Sequence, residues 1–233
     1  MNTNSLPITL SQAATKILKE VELLYKSEVW WQETPGLEGD MCALRNTPMP
    51  TVRYKNTFVL NEGGIVHELL HLKLRRLGYP NVQKADPQEN NNWRDQTVAM
   101  LNNLFEHALI FPELERLGYF PFEAEENGTR AQLTRISSSD FPSPDSNPSL
   151  TSLSALLYAR AYLDCRSQAV RALCESIFSQ PSFASSKFLG QKVIEAVHND
   201  ANNDVSQFRS GLNECVRILN EQAFIQLEAT NGA

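Results

Sequence analysis

Residues 63–74, Gly-Gly-Ile-Val-His-Glu-Leu-Leu-His-Leu-Lys-Leu, are the stretch on which the reading of this chain turns. Apolar residues follow helical spacing from Ile65 to Leu77, Gly63 and Gly64 precede them, and Gly78 with Pro80 beyond it supplies a stop. The predicted helix sets His67 and His71 one turn apart on one face, because positions i and i+4 stack along a helix. Two imidazoles so placed can reach one Zn2+ at about 2.0–2.1 Å and leave other coordination positions open. Glu68 projects to the side where a water on such an ion would sit, and there it can accept and return a proton. The surroundings of this set are apolar: Ile65, Val66, Leu69, Leu70, Leu72 and Leu74. Burying His-Glu-His on such a helix without an ion is costly, and a metal removes that difficulty.

A zinc site of this kind needs one more protein ligand, and the next predicted helix, residues 93–111 closed by Pro112, offers several. Asp95, Ala99, Asn102 and Glu106 share one face at helical spacing, while Asn103 and His107 lie on the adjoining one. Glu106 would complete a site of two histidines and one glutamate and is favoured. His107 is the alternative, with Asp95 behind it. The neighbour that does not bind is expected to orient a ligand by hydrogen bond.

Outward from the motif, residues 10–31 are expected to form a helix, with Ile17, Val21, Leu24 and Tyr25 on one face and Thr9 or Ser11 as cap. A Pro/Gly turn over 34–39 follows, and two prolines put 46–50 in a loop. Residues 51–60, TVRYKNTFVL, are β-branched and aromatic and are expected as one or two strands. A polar loop covers 80–91, and a short helix over 113–117 ends at Gly118. Residues 123–150 turn acidic and then Ser/Pro-rich, the composition of a mobile linker or loop. Helical spacing returns over 150–178, 185–199 and 203–228. The fold class expected is α+β, mostly helical with a small sheet in the N-terminal half. Three parts are expected: a metal-binding core over 1–122, the linker over 123–150, and helices over 151–233 that pack on the core.

Composition narrows the function classes. The chain has 233 residues, 42% of them hydrophobic and 21% charged, with a formal net charge of −6. A mildly acidic protein has no bulk electrostatic reason to seek nucleic acid or an anionic membrane. Lys73, Arg75 and Arg76 end the motif helix, where cations answer the helix dipole. No run approaches the roughly 20 apolar residues of a membrane span, and residues 1–9 lack the basic start and apolar core of a secretory signal. A cytoplasmic location is the expectation. Cys42, Cys165, Cys174 and Cys215 are scattered, without a CxxC pair, and are expected as small hydrophobes. His198 is expected at the surface. Tyr158 and Tyr162, one turn apart, are expected to be core or rim residues, with a phenol near a developing oxyanion as the functional alternative.

HELLH between TVRYKNTFVL and a ligand-bearing helix resembles the zincin-type metallopeptidases, most closely the small gluzincins. Asn103, Phe105 and the Leu109-Ile110-Phe111-Pro112 ending are similar to the ligand helix of the IrrE/ImmA-like bacterial peptidases. The resemblance covers roughly residues 50–118 and implies a zinc-dependent peptidase acting on a peptide or protein substrate. It implies that His67 and His71 bind Zn2+ and that Glu68 is the general base and acid. It also implies that Thr51–Tyr54 or Thr57–Leu60 is the sheet edge along which a peptide pairs. In the IrrE-like register the family's ligand glutamate falls on Ala99, which cannot bind metal; Glu106 lies two turns along the same face. The longer metzincin pattern is absent. Two other classes stand beside the peptidase. One is a non-enzymatic zincin-like binding or sensor module of a bacterial regulatory or defence system, with the C-terminal helices as a protein-partner surface. The other is a zinc hydrolase acting on a non-peptide bond.

Overall fold

The computed structural model describes residues 2–3, 8–35, 37, 41–44, 49–55, 61–120, 122–138, 141–144, 147–201 and 204–228. The fold is α+β and mostly helical, with its larger sheet in the N-terminal half. The chain divides into two compact units, Met1–Tyr79 with Ile110–Pro121, and Pro80–Leu109 with Phe122–Ala233. One helix runs through both.

The first unit holds α1 (Gln12–Tyr25), α2 (Glu62–Arg76) and a sheet of four short strands. The strands are β1 (Asn2–Thr3), β2 (Trp30–Glu33), β3 (Met41–Ala43) and β4 (Thr51–Tyr54), in the order β1-β2-β4-β3. β2 and β4 run parallel in the middle, with Trp31 opposite Val52; the outer strands run antiparallel to them. Ser11 caps α1 by accepting from the Ala14 N–H, and Ala14, Ile17 and Val21 are buried along one stripe. α1 stops at Lys26, a non-glycine residue at φ 54°. The helix expected to continue to Trp31 therefore ends six residues sooner, at Tyr25, and Trp30 and Trp31 begin β2. Gly78 holds φ +86° just beyond α2, a conformation that an L side chain strains to adopt.

The expected strand over 51–60 is present as β4 over its first four residues; residues 56–60, and with them all of Thr57–Leu60, lie outside the described residues. β4 is bonded on both sides, by β2 and by β3, so it is not a sheet edge. For Thr51–Tyr54 that expectation is corrected: among the described residues the edge next to β4 belongs to β3, a three-residue strand too short to show a period.

The second unit begins with β5 (Val82–Lys84), which pairs antiparallel with β6 (Ile225–Leu227) near the chain's end. α3 (Asn92–Arg116) is the helix shared by both units. It passes through Pro112 without ending, so the two helices expected over 93–111 and 113–117 are one; proline deletes a single hydrogen bond there. The stretch expected as a linker is helical in its first half, as α4 (Phe122–Ile136). Its acidic first turn and Arg135 in the last turn suit the helix dipole, and buried Thr129, Leu133 and Ile136 give it an inner stripe. In the later Ser/Pro-rich half, residues 139–140 and 145–146 lie outside the described residues, and Phe141 packs against Trp93 with ring centroids 5.8 Å apart.

α5 (Pro148–Leu163) is buried almost all round, from Leu150 to Ala161, as befits a central helix. α6 (Gln168–Phe178), α7 (Ala184–Asp200) and α8 (Val205–Ile218) complete the unit. α7 crosses α5 at Gly190, where an added Cβ would stand 2.7 Å from the Ala155 carbonyl oxygen. Arg94, itself buried, pairs with Glu89 and Glu221 and donates to Ser149, tying the start of α3 to α5 and to the segment before β6. Among the described residues no helix is long and apolar enough to cross a membrane.

Candidate metal centre

α2 positions the motif by its two ends. Asn61 caps it, accepting from the Gly64 N–H at 2.6 Å, so Gly63 and Gly64 lie in the first turn rather than before it. Glu62 accepts from the Ser11 backbone N–H at 2.9 Å and from the Tyr119 hydroxyl, which joins the helix start to α1 and to the segment after α3. At the other end Lys73 pairs with Glu20 at 2.6 Å, Arg75 donates to the Leu44 carbonyl, and Arg76 donates to the Leu24 carbonyl. All three cations of this helix end therefore have partners inside the chain.

On this helix the Nε2 atoms of His67 and His71 stand 3.2 Å apart. Two nitrogens that share a tetrahedral ion at about 2.0–2.1 Å must lie about 3.4 Å from each other, so the pair already has the spacing of a shared ligand set. Phe111 of α3 lies against His67, ring centroids 6.1 Å apart. His107 precedes Phe111 by four residues, hence by one turn on the same face of the same continuous helix. Its ring nitrogen joins the other two: the ligand atoms of His67, His71 and His107 all lie within 4.8 Å of one another, a group that can hold a metal ion. His71 and His107 are buried and His67 is partly so.

Glu106, favoured by the spacing on α3, is also buried, yet it belongs to neither metal-capable group among the described residues. Asn102, four residues before Glu106, clamps β5 by accepting from the Val82 N–H at 2.8 Å and donating to the Val82 carbonyl at 3.0 Å. Asp95 is exposed and pairs with Lys84 at 2.7 Å. At 1.5 Å per residue it lies about 18 Å along the helix from His107. Ala99 is exposed.

Glu68 is buried beside the histidines. It lies 3.2 Å from His67 Nδ1 and accepts from the Ala43 backbone N–H at 2.5 Å. Burial raises its carboxyl pKa, but the hydrogen bond to His67, the charges of His67 and His71 and the Ala43 N–H outweigh this and lower it to about 2. Glu68 is therefore an ionised acceptor at neutral pH. Ala43 belongs to β3, whose pairing leaves this N–H pointing away from β4. The outer edge of the sheet thus meets α2 at the motif glutamate.

His107 has a partner that the sequence does not announce. Its Nδ1 lies 3.0 Å from Oδ2 of Asp164, the C-terminal cap of α5, and each side chain is 2% exposed. Asp164 lies 3.8 Å from Arg160 Nε, and Arg160 pairs with Glu125 of α4. His107, Glu125 and Asp164 form the second group of gathered ligand atoms, and Arg160 offsets one of its two carboxylate charges.

The remaining residues named from sequence fall outside this centre. Tyr158 and Tyr162 both donate to Glu175 Oε1 on α6, and burial followed by that bond raises the Tyr158 pKa. His198 is exposed on α7. Cys165, Cys174 and Cys215 are buried and unbridged, Cys42 is half-buried, and burial pushes the Cys174 thiol up to about 12. No protein-family model, no curated protein and no solved structure matches this chain.

Proposed function

We propose that the chain is a zinc-dependent metallopeptidase in which His67, His71 and His107 hold the ion and Glu68 acts as general base and acid. The observation that carries this reading is the 3.2 Å separation of the two α2 imidazole nitrogens with a third imidazole beside them. Three neutral nitrogen donors and no thiolate suit Zn2+ among the common divalent ions, and three protein ligands leave a position open, as catalytic zinc sites require. Such an ion supplies Lewis acidity and makes water reactive near neutral pH. His107 in place of Glu106 makes the ligand set more positive by one charge than a two-histidine, one-glutamate set.

Glu68 does the proton work. As an ionised acceptor it takes a proton from the attacking water and returns it to the departing amine. Its two oxygens are engaged by His67 and by the Ala43 N–H, one on each, and each oxygen keeps a second lone pair that can accept from water. An extended peptide adding to the outer edge of β3 competes with Glu68 for that same N–H, which couples substrate binding to release of the base.

Exchange of Glu68 for glutamine is the deciding experiment. The wild-type protein is expected to bind one equivalent of zinc and to cleave members of a peptide library; Glu68→Gln is expected to keep the zinc and lose cleavage by at least about 100-fold, the scale of lost acid–base catalysis. Equal cleavage by the two proteins would sink the mechanism. Zinc retained by both with cleavage by neither would favour a metal-bearing binding module, a reading supported by the same Glu68–Ala43 contact. Cleavage of esters or small amides but of no peptide would point to another zinc hydrolase.

A further inference from the structure

We propose that Asp164 is the positioning residue of the metal centre: it fixes His107 as the Nδ1–H tautomer and so presents Nε2 as the ligand. This rests on the metal-centre reading above and concerns a residue that lies 57 positions from its partner in sequence. A carboxylate can only accept, so the 3.0 Å contact makes His107 Nδ1 the donor. A neutral imidazole with its proton on Nδ1 keeps its ligating lone pair on Nε2. An imidazole left without that acceptor divides its proton between the two nitrogens, and the fraction protonated at Nε2 cannot bind.

The placement of Asp164 argues for a role beyond stability. It caps the C-terminal end of α5, where the helix dipole disfavours an anion, and it is 2% exposed, where an ionised carboxylate is costly. Arg160 offsets that cost one turn earlier on the same helix, and Glu125 and Gln132 of α4 hold the Arg160 guanidinium in place. Cys165, next along the chain, is a neutral buried thiol with its pKa raised by burial, and Arg171 donates to the Cys165 backbone carbonyl rather than to Asp164. Among the described residues, Arg160 and Glu125 are charged groups beside Asp164, and His107 donates a polar hydrogen to it. With Nδ1 bonded to Asp164, Nε2 on the opposite edge of the ring is the nitrogen left for the group with His67 and His71.

The test reads the tautomer directly in the metal-free full-length protein. With 15N-labelled histidine and long-range 15N–1H correlation at pH 7.5, His107 is expected as the Nδ1–H form in the wild type. Asp164→Leu is expected to shift it toward Nε2–H and to weaken zinc binding by about 10–100-fold in competition with a chromophoric chelator. Asp164→Asn, which keeps an acceptor oxygen and the side-chain shape, is expected to restore most of the tautomer and to bind zinc within about 10-fold of wild type. If Asp164→Leu fails to fold, Asp164→Asn and Asp164→Ser carry the comparison. Wild-type tautomer and zinc affinity in a folded Asp164→Leu, with only a lower melting temperature, would overturn the proposal and leave Asp164 a structural residue. His67→Ala and His107→Ala separate the two levels. Loss of zinc in both, with Asp164→Leu unaffected, refutes only this inference; undiminished zinc in both refutes the metal centre itself.

Discussion

Helices α2 and α3 both carry part of the candidate metal centre, and they do so by different means. α2 sets its nitrogens by local geometry alone: His67 and His71 are one turn apart, and the backbone hydrogen bonds of one helix bring their Nε2 atoms to 3.2 Å. α3 contributes a single ring whose proton is placed by Asp164 on α5. One half of the centre is thus written in five consecutive residues, and the other in contacts that span much of the second unit. The comparison teaches that a ligand supplied by tertiary structure needs its own support, and that such support is where a local pattern is silent.

The sharpest way to break this comparison is to remove the ligands one helix at a time. His71→Ala and His107→Ala are each expected to lower zinc affinity by more than the about 100-fold that loss of an outer partner causes, whereas Glu106→Gln is expected to leave it within about 3-fold of wild type. Equilibrium dialysis against zinc, or titration with Co2+ followed by its visible spectrum, measures all three. A Glu106→Gln protein that loses the ion while His107→Ala keeps it would transfer the third ligand back to the glutamate that the helical spacing favours.

That reversal marks where the sequence is legible. The α2 motif, its Gly78 stop and the helical character of the chain can be read because each depends on residues within one or two turns. The third ligand cannot. Glu106 and His107 differ by about 100° around α3 and both are buried, so helical spacing and burial do not say which of them stands beside the α2 pair. Asp164 is further removed still. Short strands fail for another reason. β3 has three residues, fewer than a period-two pattern needs, and β2 hides behind α1 because that helix ends at Lys26 without glycine or proline. The start of α4 is hidden by a compositional average that mixes its acidic first turn with the Ser/Pro-rich segment after it.

A smaller effect sharpens the contrast from the side of the second unit. Gly190 of α7 faces the Ala155 carbonyl and the Tyr158 ring of α5, and a Cβ there would lie 2.7 and 2.8 Å from them. A backbone carbonyl has little room to yield, so Gly190→Ala is expected to cost about 1–3 kcal/mol in urea unfolding. Because α5 carries Asp164, the same substitution is expected to weaken zinc binding by a few-fold, within the outer-partner scale of about 10–100-fold and toward its lower end. Val193→Ala on the same helix, which leaves a cavity instead of a clash, is the comparison variant. Lost stability in both with zinc affinity lowered only in Gly190→Ala would tie α5 placement to the α3 ligand. Equal zinc affinities would detach the two.

The smallest effect belongs to α2, whose share of the centre needs little help. Glu62 in its first turn accepts from Ser11 and Tyr119, and these hydrogen bonds lower its carboxyl pKa, led by that to the Ser11 side chain. A folded-state pKa below the unfolded value means that the contribution is complete above about pH 4.5, the ordinary glutamate range, and is lost as pH falls through the folded value. Glu62 is only half-buried, so screening limits it to no more than about 1 kcal/mol. Urea midpoints of the metal-free wild type and Glu62→Gln should differ by a constant amount from about pH 7 to about pH 5 and converge below that. Zinc affinity at neutral pH should be the same in both, since the 3.2 Å nitrogen spacing is a property of the helix interior and not of its cap. A Glu62→Gln protein that kept its stability but lost zinc would mean that α2, too, depends on distant support.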